Sequence, residues 1–346
     1  MEKSLHKAGT FFNAKAAKAI SRLPKLGLVG TMNSVNEKLE HPKLVQLMNR
    51  YATYNGSDPY KAPGVLTMIP HLEFNIGTFF PKNGMIQIAR CLEKLALEAG
   101  VEFALNTKAE RIMHNGAKVQ GVQTNKGTFE AEVVVSNADI YPTYKNLLKD
   151  VEPPTNTLKQ ERSSSALIFY WGVRKTFSQF HLHNILFSDN YREEFRQIFD
   201  LKEVPNEPTV YINVTSKYAN QDAPDGCENW FVMVNVPATS EGLTEKQISD
   251  AKQTVIKRIS EQLGENIASL IETEDVLHPK LIQQRTSSHL GALYGTSSNN
   301  RMSAFMRHPN FHSSIKGLWF CGGSVHPGGG IPLCLLSAKI ISELYD

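Results

Sequence analysis

Apolar residues recur at helical spacing over Met85, Ile88, Ala89, Leu92, Leu95, Ala96 and Ala99, and Gly100 follows as a closing cap, which predicts a helix over this stretch. Short alternating runs come next. Val101 to Leu105, Glu110 to His114, Lys118 to Gln123 and Thr128 to Val135 are separated by Asn115-Gly116 and Asn125-Lys126-Gly127, and they predict a small antiparallel meander. Further along, Ala166 to Val173, Thr209 to Thr215 and Trp230 to Val236 are rich in aromatic and β-branched residues, the composition of a sheet. Such a sheet makes one wall of a long pocket, with Phe169, Tyr170, Trp171, Tyr211, Trp230 and Phe231 as candidate lining. Alternation sends only half of these to the pocket face and the rest under helices such as Glu245 to Leu263. At the end of the chain a short strand, Leu318 to Cys321, runs into a glycine loop. A helix over Ile331 to Leu344 follows, with Ile331, Leu335, Ala338, Ile340, Ile341 and Leu344 as its apolar positions.

That loop reads Gly322-Gly323-Ser324-Val325-His326-Pro327-Gly328-Gly329-Gly330, five glycines in nine residues. Glycine lets the main chain approach a ligand closely. Pro332 suits the first turn of the helix, where its missing N–H costs nothing. The helix then points free N–H groups and its positive dipole end at whatever lies on the loop, the arrangement of an anion and ring-edge binding site. Gly322-Gly323-Ser324-Val325 also begins like a hydrolase elbow, but His326 stands where the final glycine belongs.

Length and composition fit two globular domains: 346 residues, 41% of them apolar, with a formal net charge of +3. No apolar run approaches the roughly 18 residues that a membrane-spanning helix needs. Charge is uneven, because residues 1–50 hold nine Lys and Arg against three Glu. In Phe12 to Leu23 the apolar Phe12, Ala16, Ala19, Ile20 and Leu23 share one helical face and Lys15, Lys18 and Arg22 another, so this segment is either a surface helix on its own core or one lying on an anionic membrane. The excess is small and carries no interleaved aromatic platform, which argues against nucleic acid. Cys91, Cys227, Cys321 and Cys334 lack C-x-x-C spacing, so reduced thiols and a cytoplasmic setting are expected. His181 and His183 lack a carboxylate or cysteine at metal spacing, and no metal site is expected. Glu272, Glu274 and Asp275 read as an exposed acidic turn.

The stretch LWFCGGSVHPGGGIPLCLLSAK resembles the C-terminal FAD signature of the bacterial phytoene desaturase family of carotenoid enzymes. FPKNGMIQIARCLEKLALEAG (Phe80 to Gly100), VVVSNADIYPTYKNLL (Val133 to Leu148), HNILFSDNYREEF (His183 to Phe195) and DAPDGCENWFVMVNVP (Asp222 to Pro237) resemble it in the same order. Members of that family open with a strand, a G-x-G-x-x-G turn and a helix that hold the FAD pyrophosphate. Nothing in Met1 to Leu66 provides these, so the chain is expected to be an N-terminally truncated member.

The resemblance implies an α/β plus α+β fold: an incomplete Rossmann-like FAD-binding domain lacking its first βαβ, and a substrate domain built on an antiparallel sheet and helices. Its expected division is a helical segment facing substrate or membrane (residues 1–79), cofactor parts at 80–140 and 312–346, and a substrate-binding domain at 141–311, with Ser136-Asn137-Ala138-Asp139 at the crossing. It further implies FAD as cofactor, with Gly322, Gly323 and Ser324 near the ribityl and phosphate region. Gly328, Gly329, Gly330, Ile331 and Pro332 would meet the ring edge, and Ala109 would contact the adenine through its backbone. No catalytic side chain is assigned; His326 lies nearby without an assignable proton role. The implied activity is desaturation of 15-cis-phytoene or a related C40 or C30 polyene by hydride transfer to flavin. The alternatives are a carotenoid isomerase, a hydroxycarotenoid desaturase, or an inactive lipid-binding fragment. Implied partners are the polyene lipid, peripheral contact with the inner membrane, and quinone or oxygen as electron acceptor.

Overall fold

The protein is described by a computed structural model covering residues 30–300 and 306–345, together with Lys18 and Ser21. The basic amphipathic segment Phe12 to Leu23 otherwise lies outside the described residues. Three sheets organise the fold. The largest is five-stranded, in the order β6-β7-β8-β5-β9, from β5 (Ser165–Val173), β6 (His183–Leu186), β7 (Val210–Asn213), β8 (Glu228–Val236) and β9 (Ile271–Leu277). All its pairings are antiparallel; β8 is central, and β5 beside it pairs with β8 from Ser165↔Val236 to Val173↔Glu228 and with edge strand β9 on its other side.

Period-two alternation decides what each face of this sheet does. Leu167, Phe169, Trp171 and Val173 of β5 and Trp230, Val232, Val234 and Val236 of β8 point to one side. There they form a core with Val210 and Ile212. A helix, α3 (Glu245–Leu263), covers them with Ala251, Val255, Ile256 and Ile259, residues spaced to share one helical face. Its start is a capping box between Thr244 and Gln247, and its end is Gly264 at φ 68°. The predicted bounds of this helix are the observed ones.

The opposite face carries Ile168, Tyr170, Tyr211, Phe231 and Met233, brought into register by Tyr170↔Phe231, Ile168↔Met233 and Tyr211↔Met233. Of the six aromatic candidates, Tyr170, Tyr211 and Phe231 thus lie on this open side and Phe169, Trp171 and Trp230 in the core. The acidic run Glu272, Glu274 and Asp275 is not a turn but part of edge strand β9. Pairing with β5 fixes it: Glu274 lies opposite Trp171 and accepts hydrogen bonds from Trp171 Nε1 (2.6 Å) and Lys252 Nζ (2.6 Å).

A second core joins the ends of the chain. The meander β1 (Ala109–His114), β2 (Val119–Thr124) and β3 (Gly127–Glu130) forms as expected, but the predicted strand Thr128 to Val135 is broken. Its second half, β4 (Val134–Ser136), pairs in parallel with β10 (Leu318–Phe320), from Leu318↔Val134 to Phe320↔Ser136. Ile112, Val119, Val134, Ile140, Tyr144, Leu318, Phe320 and Val325 pack together here. The predicted strand Val101 to Leu105 does not form. Among the described residues no strand edge pairs with it, and Val101, Phe103 and Leu105 are exposed. The helix before it, α2 (Ile86–Glu98), buries none of its residues despite its apolar stripe. Helix α1 (Met68–Ile76) and helix α4 (Ile331–Tyr345) complete the elements that bear on the site.

Candidate functional site

Strand β10 leads directly into the glycine loop, and the loop's shape is fixed from outside. Cys321 donates its N–H to Ser136 O (3.0 Å) and His326 to His308 O (2.9 Å). The buried Asn310 donates through Nδ2 to His326 O (2.8 Å), Phe320 O (3.2 Å) and Ser337 Oγ (2.9 Å), joining strand, loop and α4. Ser324 Oγ accepts the N–H of Ile140 (2.9 Å), so its hydroxyl holds the crossing segment against the loop.

Most of the loop glycines are filled by the protein itself. A methyl group on Gly322 would meet Asn137 Oδ1 at 2.5 Å, one on Gly323 would meet Gly329 Cα at 3.2 Å, and one on Gly328 would meet the Arg307 guanidinium at 3.1 Å. At Gly329 the neighbour is Tyr294, with Cα and Cβ both 2.8 Å from where a methyl would stand. Gly330 differs: at φ 104° it faces space free of protein atoms within 4 Å, and the exposed Ile331 and Pro332 start α4 beside it. The first helical hydrogen bond runs from Cys334 N–H to Gly330 O, which leaves the N–H groups of Ile331 and Leu333 at an open, positive helix end. A side-chain-free cradle with such donors fits the edge of a flavin ring. Ala109 is exposed at the start of β1, and His326 is buried in the loop.

The crossing segment forms the other side. Asp139 caps the short helix Ile140–Pro142 by accepting from Tyr141 N–H (2.9 Å), and it also accepts from His289 N–H (3.2 Å). The Arg162 guanidinium lies 3.6 Å from Asp139 Oδ1 and 5.8 Å from the Tyr141 ring centroid, and the Tyr141 and His289 rings stack at 3.5 Å. Burial, then Arg162 nearby, lowers Arg307 to about 10.

Sequence reasoning did not find Tyr294, Arg307, Arg162 or Asn310. The flanking glycines of Tyr294, Gly291 and Gly295, were its only visible signal. On the open sheet face Tyr211 meets Phe231 edge-on at 6.2 Å, as Phe231 meets Tyr170 at 5.5 Å. A cavity of about 690 Å³ at the end of this sheet borders Tyr170 and Phe231 of the open face, Trp171 and Trp230 of the core face, and the carboxylates Asp222, Glu228, Glu272, Glu274 and Asp275.

The buried Asp58 and the half-buried His289 give opposite pH dependences. Burial pushes Asp58 up to about 6, against the Tyr60 N–H it accepts and the nearby Lys61. Burial, then Arg162, pulls His289 down to about 4, against Asp139. Between the unfolded carboxylate value and about 6, native Asp58 binds more protons than the unfolded chain, so its contribution falls as pH rises. Between about 4 and the unfolded imidazole value, native His289 binds fewer, so its contribution rises with pH. The two offset each other over most of that window. Asp58→Asn is therefore expected to make the melting temperature climb more steeply from pH 4 to pH 6, and His289→Gln to make it climb less or fall. Thermal melts at half-unit pH intervals check both signs.

Residues 10–343 match the family of flavin containing amine oxidoreductases. The chain belongs to that family. Within it the relatives are carotenoid enzymes: a 1-hydroxycarotenoid 3,4-desaturase of Flavobacterium sp. (strain P99-3) is 53% identical over 344 residues, covering 99% of this chain and 70% of the relative. A 4,4'-diapolycopene oxygenase of Methylomonas sp is 30% identical, covering 89% and 63%. A phytoene desaturase of Fusarium fujikuroi is 32% identical, covering 84% and 55%. The chain thus spans from about half to 70% of these relatives' lengths. Its fold is that of an oxidoreductase from Methanosarcina mazei (TM-score 0.61, 12% identity, covering 97% of this chain and 74% of that one). A putrescine oxidase variant shares it as well (TM-score 0.57, 12% identity, 99% and 71%). The protein is placed among the carotenoid desaturases, FAD-dependent oxidoreductases that combine a Rossmann-like cofactor domain with an antiparallel-sheet substrate domain.

Proposed function

We propose that this chain acts in FAD-dependent desaturation of a hydroxylated acyclic carotenoid, with phytoene as a lesser substrate or none. The observation that carries this is 53% identity over 99% of the chain to a 1-hydroxycarotenoid 3,4-desaturase, against 32% to a phytoene desaturase. The reading centred on phytoene thereby gives way to the hydroxycarotenoid alternative.

FAD, when bound, supplies the hydride acceptor. The residues of this chain have the simpler task of presenting one bond of a long polyene to it. Gly330, Ile331 and Pro332 would hold the ring edge, and the loop from Gly322 to Gly329 sets their position through Asn137, Arg307 and Tyr294. Tyr170, Tyr211, Phe231 and Met233 make a largely aromatic wall on which an extended polyene lies. Proton loss from the cationic chain left by hydride removal needs only a weak base or water. That chemistry fits a site without an obvious catalytic acid or base.

A division into cofactor parts and a substrate part belongs to the same proposal, supported by two separate cores; Tyr144 and Leu148 pack in the core of β4 and β10, so the first boundary falls after Leu148 rather than at residue 140. A cytoplasmic location with peripheral membrane contact, and quinone or oxygen as acceptor, belong to the same proposal; among the described residues no helix is long and apolar enough to cross a membrane. The test is turnover by the full-length protein with FAD and an acceptor. A hydroxylated acyclic carotenoid should gain one conjugated double bond, seen as a red-shifted spectrum, faster than phytoene does. Faster turnover of phytoene would overturn the substrate assignment, and geometric change without net oxidation would make the protein an isomerase.

A further inference from the structure

Tyr294 is held beside the glycine loop by close approach to two glycines. Both edges of its ring lie against glycines from distant parts of the chain. A methyl at Gly56 would stand 2.8 Å from Tyr294 Cδ2, and one at Gly329 would stand 2.8 Å from its Cβ and 3.0 Å from its Cδ1. Any side chain at either position would force the ring out of place. Its backbone is fixed as well, since Tyr294 N–H donates to Ser163 Oγ (2.9 Å) and Ser163 N–H to Gly295 O (2.8 Å). A ring clamped on both edges has one free direction, along the axis to its hydroxyl.

That hydroxyl is the part without a structural task. No described residue hydrogen-bonds it, and it is not among the oxygens sealed inside the protein. Its setting is the glycine loop itself, with Tyr294 Cα and Cβ against Gly329, the residue before the open Gly330. Tyr294 therefore brings one neutral donor and acceptor to the loop that fits the ring edge.

We propose that Tyr294 is a specificity-determining residue whose phenol hydrogen-bonds the hydroxyl group of the polyene substrate. This rests on the hydroxycarotenoid reading above. A hydroxyl at position 1 is two carbon–carbon bonds from the 3,4-bond, so the group that recognises it must sit beside the ring edge rather than far along the sheet. Tyr294, packed against Gly329, is such a group. A phenol also suits an apolar channel, because it brings no charge. When a substrate without the hydroxyl binds, the phenol loses water and gains no partner, and discrimination follows from that loss.

The test compares wild type with Tyr294→Phe, which keeps the clamped ring and removes only the oxygen, in the full-length FAD-loaded enzyme. Three quantities are read: kcat/KM for a 1-hydroxylated acyclic carotenoid, kcat/KM for its hydroxyl-free counterpart, and the affinity of each for the oxidised enzyme by absorption titration. The ratio of the two kcat/KM values is expected to fall about tenfold in the variant, through the hydroxylated substrate alone, with a matching loss of affinity and unchanged flavin content. A wild-type preference that persists in Tyr294→Phe overturns the assignment of the phenol and leaves the hydroxycarotenoid reading standing. Equal kcat/KM values in the wild-type enzyme overturn that reading itself, and the role of Tyr294 falls with it. An equal loss on both substrates, with flavin content reduced, makes Tyr294 a packing residue and overturns the proposal.

Discussion

Gly329→Ala is expected to lower turnover by about 100-fold, because a displacement of about 1 Å in a positioning element has an effect of that size. The added methyl would stand 2.8 Å from Tyr294 Cα and Cβ, and neither atom can rotate away. Either the loop or the backbone at Tyr294 must move. Ser163, just before β5, accepts from Tyr294 N–H and donates to Gly295 O, while Gly330 meets no protein atom, so the Gly329-Gly330 end of the loop is the softer partner. The folded state should lose about 1–3 kcal/mol, the usual effect of overpacking, and remain populated. Flavin retention measured by absorption, together with single-turnover rates, separates misplacement of the loop from loss of fold. Gly330→Ala makes the contrast. Its methyl meets no protein atom, so whatever it costs in binding beyond the strain of φ 104° reports on a ligand at that position.

Glu228→Ala is expected to lower stability by about 3–5 kcal/mol, the range for breaking a buried charge pair. The carboxylate is buried at the start of β8, where it accepts from Phe177 N–H (2.9 Å) and Trp230 Nε1 (2.7 Å) and pairs with Lys217 Nζ at 2.5 Å. Removing it leaves two buried donors without acceptors, beside a core that includes Trp230, Phe177 and Phe180. Lys217 is less of a burden, since it keeps Phe177 O at 2.6 Å and reaches solvent. Glu228→Gln retains one acceptor oxygen and should cost less than half as much. Denaturant midpoints at constant slope measure both. The site lies on the far side of the large sheet, so activity at permissive temperature should survive the change.

The elements that could be read from the chain are those with strong local punctuation. Helix α3 has its capping box and closing glycine, and α4 follows a glycine loop and carries Pro332, so their bounds follow from neighbours in sequence. Alternation likewise sorted the six aromatic residues of β5, β7 and β8 into a buried and an open set. What could not be read depends on partners distant in sequence. The run from Thr128 to Val135 looks continuous, yet its second half leaves the meander for β10, which arrives only at Leu318. Glu272 to Asp275 has the composition of a solvated turn, and pairing with β5 overrides it. The run Val101 to Leu105 has the alternation of a strand, and alternation alone does not supply a hydrogen-bonding edge. The glycine loop was visible as a ligand site, but the fact that most of its glycines make room for Asn137, Arg307 and Tyr294 was not, because those contacts come from three other parts of the fold.

The large sheet keeps its two duties on opposite sides. Leu167, Phe169, Trp171, Trp230, Val232 and Val234 hold the domain together under α3, while Tyr170, Tyr211, Phe231 and Met233 on the reverse are free of that task. Substitutions at the second set therefore start with little thermodynamic handicap. A lineage can exchange them one at a time, lengthening, narrowing or bending the track for a new pigment, while the domain beneath goes on folding as before.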